Sequence, residues 1–203
     1  MSEHESETDA ESASEAALED EESPLGASIV TIAANRSLDD DPAGTAVEEA
    51  LEGADFDLAT REHIAPSHDR VQSTILRMIE RDDVDLVVTA GGTSVEPDDV
   101  VIEAVETLLD KELTAFSEVF TSLAYEEVGT RVIAARTLAG VAEGKPVFCL
   151  PGNAEAARLA TEEIILPEAG YLVDLARVED DETEDDDGPD ENGNGNGSPS
   201  AGS

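Results

Sequence analysis

Residues 85–99 read DLVVTAGGTSVEPDD, and this stretch establishes the fold class of the chain. A continuous apolar run that ends in two glycines is typical of a central parallel strand that is buried on both faces. Glycines directly after such a strand let the backbone turn sharply and approach a bound anion closely. The stretch therefore predicts a parallel α/β sheet, with a candidate binding loop at the carboxyl end of one strand.

Strand and helix patterns alternate on both sides of this run. Before it, strand patterns occupy 28–33 and 56–64, and helical patterns occupy 42–53 and 69–81. After it come helical patterns at 98–110 and 114–127, strands at 132–140 and 145–150, and a last helix from Asn153 to about Leu166, before Pro167. This alternation predicts a three-layer α/β/α domain with a mostly parallel sheet.

The two ends of the chain differ in composition from its middle. Residues 1–26 and 178–203 are rich in Glu, Asp, Ser and Gly and have scarcely any apolar periodicity. Such segments bury too little apolar surface to offset the entropy lost on ordering, so both are predicted to be disordered acidic tails. Residues 27–177 are long enough for one α/β domain and are predicted to form it.

The charge balance is strongly acidic, with 50 Asp and Glu, 11 Lys and Arg, and a net charge of −39. The middle segment holds 30 of the acids and all 11 basic residues, so the predicted domain itself keeps 19 net negative charges. This pattern favours a protein that is kept soluble in a salt-loaded cytosol, where screening weakens self-repulsion. The alternative is that the acidic surface attracts a basic partner.

Composition also excludes several classes of protein. No run of basic residues is present to bind a phosphate backbone, so nucleic acid is not expected as a partner. No apolar stretch is long enough to span a membrane, and the acidic N-terminus does not resemble a secretory signal, so a cytoplasmic location is expected. Cys149 is the single cysteine, and its apolar surroundings predict a small buried side chain.

Two loops carry suitable chemistry for a ligand. The first follows the run quoted above and offers flexible glycines, hydroxyls and carboxylates that are predicted to open the next helix: Gly91, Gly92, Thr93, Ser94, Asp98 and Asp99. The second follows the strand at 145–150, with a tight turn at Pro151 and Gly152 and a helix cap at Asn153. Both turns have a purely structural alternative, because glycines commonly end strands and Asp commonly begins helices.

Loops at the carboxyl ends of neighbouring parallel strands share one crevice, which predicts a small anionic ligand bound between the two turns. Several segments then resemble the MoaB/Mog molybdopterin proteins in order and spacing. These are ANRSLDDDPAG at 34–44, VTAGGTSVEPDDVV at 88–101, KELTAFSEVFTSLAYEEVGT at 111–130, RTLAGV at 136–141 and FCLPGNAEAARLA at 148–160. The resemblance covers about 28–172 and leaves only the ends of the chain outside it.

The resemblance implies a fold, a ligand and a reaction. It implies parallel strands flanked by helices, a homotrimer or a homohexamer, and molybdopterin bound near the Gly-Gly-Thr and Pro-Gly turns. Mog-type enzymes use Mg²⁺ and ATP to adenylylate the terminal phosphate of molybdopterin. Asp99 matches the acidic residue linked to Mg²⁺ and catalysis in the family, with Asp98 beside it, and oxygen ligands are those that Mg²⁺ prefers.

Other candidates have two interpretations each. Glu126 and Glu127 match paired acids of the family, or they are two ordinary carboxylates at an exposed helix end. Arg136 is a cation near the predicted site that pairs with a phosphate, or it forms a salt bridge with one of the many acids. His63 and His68 lack metal-ligand spacing, so no metal is assigned to them.

The chain departs from the family pattern in the glycine turn, after the second strand, and at Ala34, Ala124 and Ala135, where many relatives carry serine. The family usually has Gly-Gly-Thr-Gly in the glycine turn, and this chain has Ser94 at the fourth position. After the second strand, where active members of the family have a catalytic Asp, this chain has Pro66-Ser67-His68. Asp69, the next residue in the chain, offers a carboxylate in place of that Asp. The sequence therefore predicts a molybdopterin adenylyltransferase, with a non-catalytic molybdopterin carrier as the alternative. It does not distinguish molybdenum from tungsten as the metal inserted later.

Overall fold

The computed structural model of the chain describes residues 23–34, 37–54 and 56–177. The predicted acidic tails lie outside these residues, except for 23–26, where Gly26 already belongs to the first strand. The strands are β1 (Gly26–Ile32), β2 (Asp57–Ile64), β3 (Leu86–Ala90), β4 (Lys111–Glu112), β5 (Leu138–Ala142) and β6 (Lys145–Leu150). The helices are α1 (Pro42–Glu52), α2 (His68–Ile79), α3 (Val101–Glu106), α4 (Thr114–Val128), α5 (Ala154–Ala160) and α6 (Leu166–Ala176).

The six strands form one sheet in the order β2-β1-β3-β6-β5-β4. The pairs β2-β1, β1-β3 and β3-β6 are parallel, whereas β5 runs antiparallel to both β6 and β4. The predicted mostly parallel sheet is therefore confirmed, and the quoted run forms its buried strand β3. In this order, the carboxyl ends of β1, β3 and β6 adjoin one another at a single edge.

Helices cover both faces of the sheet and confirm the three-layer architecture. Successive side chains of a strand point to opposite faces, so the buried strands supply two cores. Ile29 and Phe148 pack with α1, α4, α5 and α6 on one face, and Val30 and Val147 pack with α2 and α3 on the other. The central strands β1, β3 and β6 are apolar along most of their length because both of their faces are covered, whereas the edge strands β2 and β4 are more exposed.

Three predicted elements are wrong in extent. The helix predicted at 98–110 covers only Val101–Glu106, so Asp98 and Asp99 lie in the loop before it. The strand predicted from 132 begins at Leu138, because Gly129–Ala134 form a 3-10 turn that places Val132 in the core. The last helix does not end before Pro167. Proline has no N–H to donate, and the helix accommodates it with a π-helical turn at Thr161–Ile165, after which α6 continues to Ala176.

Cys149 is fully buried in β6, as predicted. Burial raises the pKa of its thiol to about 12. The group is therefore a neutral core side chain at physiological pH and has no nucleophilic role. Within the part of the chain that the structure describes, no helix has both the length and the apolar character needed to cross a membrane.

Candidate functional site

The two glycine turns lie against each other at the carboxyl edge of the sheet. The backbone N–H of Gly91 donates to the carbonyl of Leu150 at 2.9 Å, which joins the end of β3 to the end of β6. A β-carbon built on Gly152 lies 3.0 Å from the Cα atom of Gly91, closer than such atoms ordinarily come. The two loops predicted to share a crevice are thus in direct backbone contact.

Gly91 and Gly92 have backbone conformations that other residues rarely adopt. Their φ angles are +94° and +66°, both in the left-handed region. A β-carbon on Gly91 lies 2.5 Å from the carbonyl oxygen of Ile32, and one on Gly92 lies 2.8 Å from a methyl group of Val101. Both positions therefore require glycine, because of the backbone conformation and because no space is left for a β-carbon. As a result, backbone without side chains lies at the carboxyl end of β3.

The rest of the first loop is fastened by its own side chains. Thr93 is buried at 2% exposure, and the N–H of Ser94 donates to Oδ2 of Asp99 at 2.8 Å. The N–H of Glu96 donates in turn to the hydroxyl of Ser94. Asp98 is exposed to solvent beside this turn. The loop thus holds Asp99 half-buried beside the glycines and leaves Asp98 free to contact a solvent-borne group.

Arg136 reaches the same loop from the segment before β5. Its Nη2 donates to Oε1 of Glu103 at 2.6 Å, and its Nη1 contacts the carbonyl of Ser94 at 3.4 Å. The hydrogen bond from Arg136 holds the pKa of Glu103 below its usual value. The structure therefore contains the salt bridge that was one of the two interpretations of Arg136. Through this residue, Glu103 of α3 is connected to the turn after β3.

A groove of about 710 Å³ opens beside the Pro151 turn, between α4 and α5. Its walls combine apolar side chains, including Phe120, Ala124 and Leu159, with charged ones, including Glu127, Arg131 and Arg158. The volume lies within the range of small-molecule sites.

The secondary candidates have different positions relative to this groove. Asn153 lies at its edge and caps α5, since its side chain accepts from the N–H of Ala156 at 3.1 Å. Glu127 lines the groove, whereas Glu126 is exposed on α4 and is not among the lining residues. The paired acids predicted from the sequence thus face different surroundings, and only Glu127 lies where a ligand in the groove can meet it.

The acidic substitute after β2 lies on the surface. The side chain of Asp69 is fully exposed in the first turn of α2, and Nδ1 of His68 lies 3.6 Å from its carboxylate. Among the described residues, no group of three or more His, Cys, Asp or Glu side chains is arranged to hold a metal ion by itself.

A buried ionic network behind the glycine turns was not among the predicted site residues. The carboxylate of Asp41 is fully buried and accepts from the Thr31 hydroxyl at 2.6 Å, from the N–H of Gly44 at 2.9 Å and from Nη2 of Arg61 at 3.0 Å. Arg61 also pairs with Glu48. The Asp-x-x-Gly spacing of residues 41–44 signals the cap, but only the pairing of β1 with β2 reveals Arg61.

Burial raises the pKa of Asp41, and the hydrogen bonds from Thr31, Gly44 and Arg61, with the charge of Arg61, outweigh it and lower the pKa overall. Asp41 is therefore ionised at neutral pH despite its burial. Asp41 caps α1 and binds Thr31 near the carboxyl end of β1, next to Ile32, whose carbonyl oxygen faces Gly91. The network thus fixes the strand end against which the first glycine turn packs.

Comparisons with known proteins agree on one family. Residues 16–170 match the family described as "Probable molybdopterin binding domain". The molybdenum cofactor biosynthesis protein B of Bacillus cereus is 37% identical over 145 residues, which cover 71% of this chain and 86% of that protein. The protein of the same name from Staphylococcus aureus strain COL is 35% identical over 150 residues, 72% of this chain and 89% of that protein.

Solved structures show the same relationship. A crystal structure of a molybdenum cofactor biosynthesis protein B superposes with a TM-score of 0.73 at 35% identity, covering 75% of this chain and 96% of that one. The tungsten cofactor synthesizing protein MoaB from Pyrococcus furiosus has a TM-score of 0.69 at 29% identity, covering 76% and 98%. The chain therefore belongs to the family of probable molybdopterin binding domains, which confirms the MoaB/Mog resemblance of its sequence.

Proposed function

We propose that this chain works in molybdenum cofactor biosynthesis and binds molybdopterin, with the terminal phosphate at the turn of Gly91, Gly92 and Thr93, beside Gly152. The proposal rests on the backbone contact between the two glycine turns, where a β-carbon on Gly91 or Gly152 would come too close to neighbouring backbone atoms. The N–H groups of Gly91 and Ser94 already donate to Leu150 and Asp99, so we assign the phosphate to the N–H groups of Gly92 and Thr93 between them. Backbone with positive φ angles and no side chain lets such groups approach an anion closely.

The groove beside Pro151 suits the remaining part of such a ligand. A pterin is a flat ring system with hydrogen-bonding edges, and the groove offers apolar walls at Phe120 and Leu159 with polar groups at its rim. In this proposal the phosphate lies at the glycines and the ring lies along the groove. Asn153, Pro151 and Glu127 then border the ligand between these two ends.

We further propose that the protein adenylylates the bound molybdopterin. An oxygen of the terminal phosphate attacks the α-phosphorus of ATP, a new P–O bond forms, and the bond to the leaving pyrophosphate breaks. Asp99, held half-buried by Ser94, and the exposed Asp98 supply carboxylate oxygens next to the glycine turn. Two carboxylates without a full cage fit Mg²⁺ that arrives with ATP, where the ion neutralises phosphate charge.

An Asp99→Ala variant tests the enzymatic step. We expect formation of adenylylated molybdopterin from Mg-ATP in concentrated KCl to fall at least ~100-fold, the scale on which enzymes lose rate when a charge-positioning group is removed. Asp82→Ala, which removes another exposed carboxylate on the surface after α2, is the matched control and should retain the wild-type rate. An Asp99→Ala variant with full activity would contradict the catalytic role of this residue.

The alternative function is a molybdopterin carrier without catalysis, and one observation favours it. Asp69, the nearest substitute for the family's second catalytic Asp, is fully exposed on the surface, away from the glycine turns' own hydrogen bonds, with His68 beside it. Equilibrium dialysis with molybdopterin, followed by incubation with Mg-ATP, separates the two functions. Tight binding with no release of pyrophosphate identifies a carrier, and turnover identifies the transferase.

We also propose that the protein is a homotrimer or homohexamer in a salt-loaded cytosol. Large apolar side chains are exposed on α4, the following 3-10 turn and α6, which is unusual on so acidic a chain: Tyr125, Val128, Ile133, Tyr171 and Leu175. Sedimentation velocity in concentrated KCl should give the mass of three or six chains, and transfer to dilute salt should dissociate the assembly because screening is lost. A monomer in concentrated KCl would contradict the proposal.

A further inference from the structure

We propose that Arg136 is a positioning residue that holds residues 91–94 in the conformation that binds the anion, and that it acts through Ser94 without touching the ligand. The inference rests on the proposed binding of a phosphate at the glycine turn and adds how the conformation of this turn is maintained. It concerns a residue outside the turn, in the segment that leads into β5.

Both backbone polar groups of Ser94 are held from outside the turn. Its N–H donates to the carboxylate of Asp99 at 2.8 Å, and its carbonyl accepts from the guanidinium of Arg136 at 3.4 Å. The second contact is the longer of the two, so its orientation depends on the anchor of the guanidinium. Glu103 provides that anchor at 2.6 Å from Nη2, in a charge-assisted hydrogen bond.

The first two residues of the turn are held by backbone hydrogen bonds, from the Gly91 N–H to the Leu150 carbonyl and from the Val101 N–H to the Gly92 carbonyl, and side chains contribute only from Thr93 onward. Gly91 and Gly92 have no side chains and lose more conformational freedom on ordering than any other residue type. Residues 95–98 are exposed, and helix α3 begins only at Val101. If Ser94 were loose, the ordering entropy of the turn would oppose ligand binding, whereas a turn that is already ordered avoids this loss.

Arg136 is poorly placed to serve as the phosphate ligand itself. One end of its guanidinium is held by Glu103 and the other faces the Ser94 carbonyl. The hydrogen bond from Arg136 lowers the pKa of Glu103, so both partners stay charged throughout the neutral pH range. A ligand phosphate would have to share this guanidinium with the bound carboxylate of Glu103, whose negative charge repels it. The geometry therefore points to an indirect role.

Amide hydrogen exchange of the ligand-free protein tests the inference. In Arg136→Gln, exchange of the amides of residues 91–96 should rise roughly fivefold, the population change that follows the loss of one hydrogen bond. Arg136→Lys, which keeps the charge but lacks the fork geometry, should fall between Arg136→Gln and the wild type. Arg77→Gln removes another ion-paired arginine, bound to Glu62 on the sheet face away from the groove, and should leave exchange in 91–96 unchanged.

Binding of molybdopterin, measured on the same variants, completes the test. We expect Arg136→Gln to weaken binding roughly fivefold, in step with the exchange, while the melting temperature and the exchange of β3 stay at wild-type values. Unchanged exchange in 91–96 would overturn the inference, as would faster exchange with unchanged affinity. Weaker binding without faster exchange would assign Arg136 a direct ligand contact. If the wild type binds no molybdopterin but exchange responds as expected, the proposed function fails and the fastening of the turn stands.

Discussion

Gly91→Ala is expected to destabilise the protein by about 3 kcal/mol and to eliminate molybdopterin binding. The residue has a φ angle of +94°, which an alanine adopts only with strain. Its new β-carbon would also lie 2.5 Å from the Ile32 carbonyl oxygen, a backbone atom that cannot rotate away. Relief of both conflicts requires the end of β3 to move from β1 and from Gly152, and this movement opens the proposed phosphate site.

Thermal unfolding and ligand titration measure the two effects of Gly91→Ala. A loss of about 3 kcal/mol corresponds to a melting temperature lower by roughly 6–12 °C for a domain of this size. Gly170→Ala is the matched control: Gly170 lies in α6, and a β-carbon there meets no atom within 4 Å. That variant should be stabilised by ~0.5–1 kcal/mol, because alanine favours a helix. A Gly91→Ala protein with wild-type stability and affinity would show that the turn is not a constrained binding loop.

The juxtaposition of the glycine turns was predictable because it follows from chain topology. The apolar runs of β3 and β6 mark two buried parallel strands, and parallel strands present their carboxyl ends at the same edge of a sheet. The start of β5, predicted at Val132, could not be found in this way because it depends on local packing and not on topology. Val132 lies in a 3-10 turn and packs in the core on the same face of the sheet as α4. The periodicity of a short apolar run does not distinguish such a buried turn from a strand.

Contacts made by side chains across distant segments could not be predicted. Arg61 lies 20 residues after Asp41, and the register of β1 against β2 brings them together. Arg136 and Glu103, 33 residues apart, meet because β5 returns antiparallel beside β6. In a chain with 50 acidic residues, each arginine has many equivalent partners in the sequence, so only three-dimensional structure selects one.

Asp41→Asn is the second substitution with a large expected effect, a loss of about 3 kcal/mol in the free energy of unfolding. The carboxylate is fully buried, so its replacement leaves the Arg61 guanidinium with Glu48 as its remaining anionic partner. An amide also places a donor group among groups that already donate: the Thr31 hydroxyl, the Gly44 N–H and Arg61. Asp83→Asn, which alters a surface ion pair with Arg81, is the control and should change stability little.

The pH dependence of this difference identifies its origin. The pKa of Asp41 is lower in the folded chain than its usual value of 3.8, so the ionised group stabilises the fold at every pH above that value. As the pH falls through the lowered folded pKa, the carboxylate is protonated and its contribution disappears. The gap in unfolding free energy between wild type and Asp41→Asn should therefore be constant from neutral pH to about 5 and should close only in stronger acid.

A double-mutant cycle then separates the ion pair from the other contacts of Asp41. Arg61→Met keeps much of the side-chain volume and removes the charge, so Asp41→Asn should cost less in that background than in the wild type. A coupling of at least ~1 kcal/mol assigns the stability to the Asp41–Arg61 pair. Additive effects, or a wild-type gap that persists unchanged into strong acid, would instead attribute it to the packing of the β1–α1 turn and contradict the electrostatic explanation.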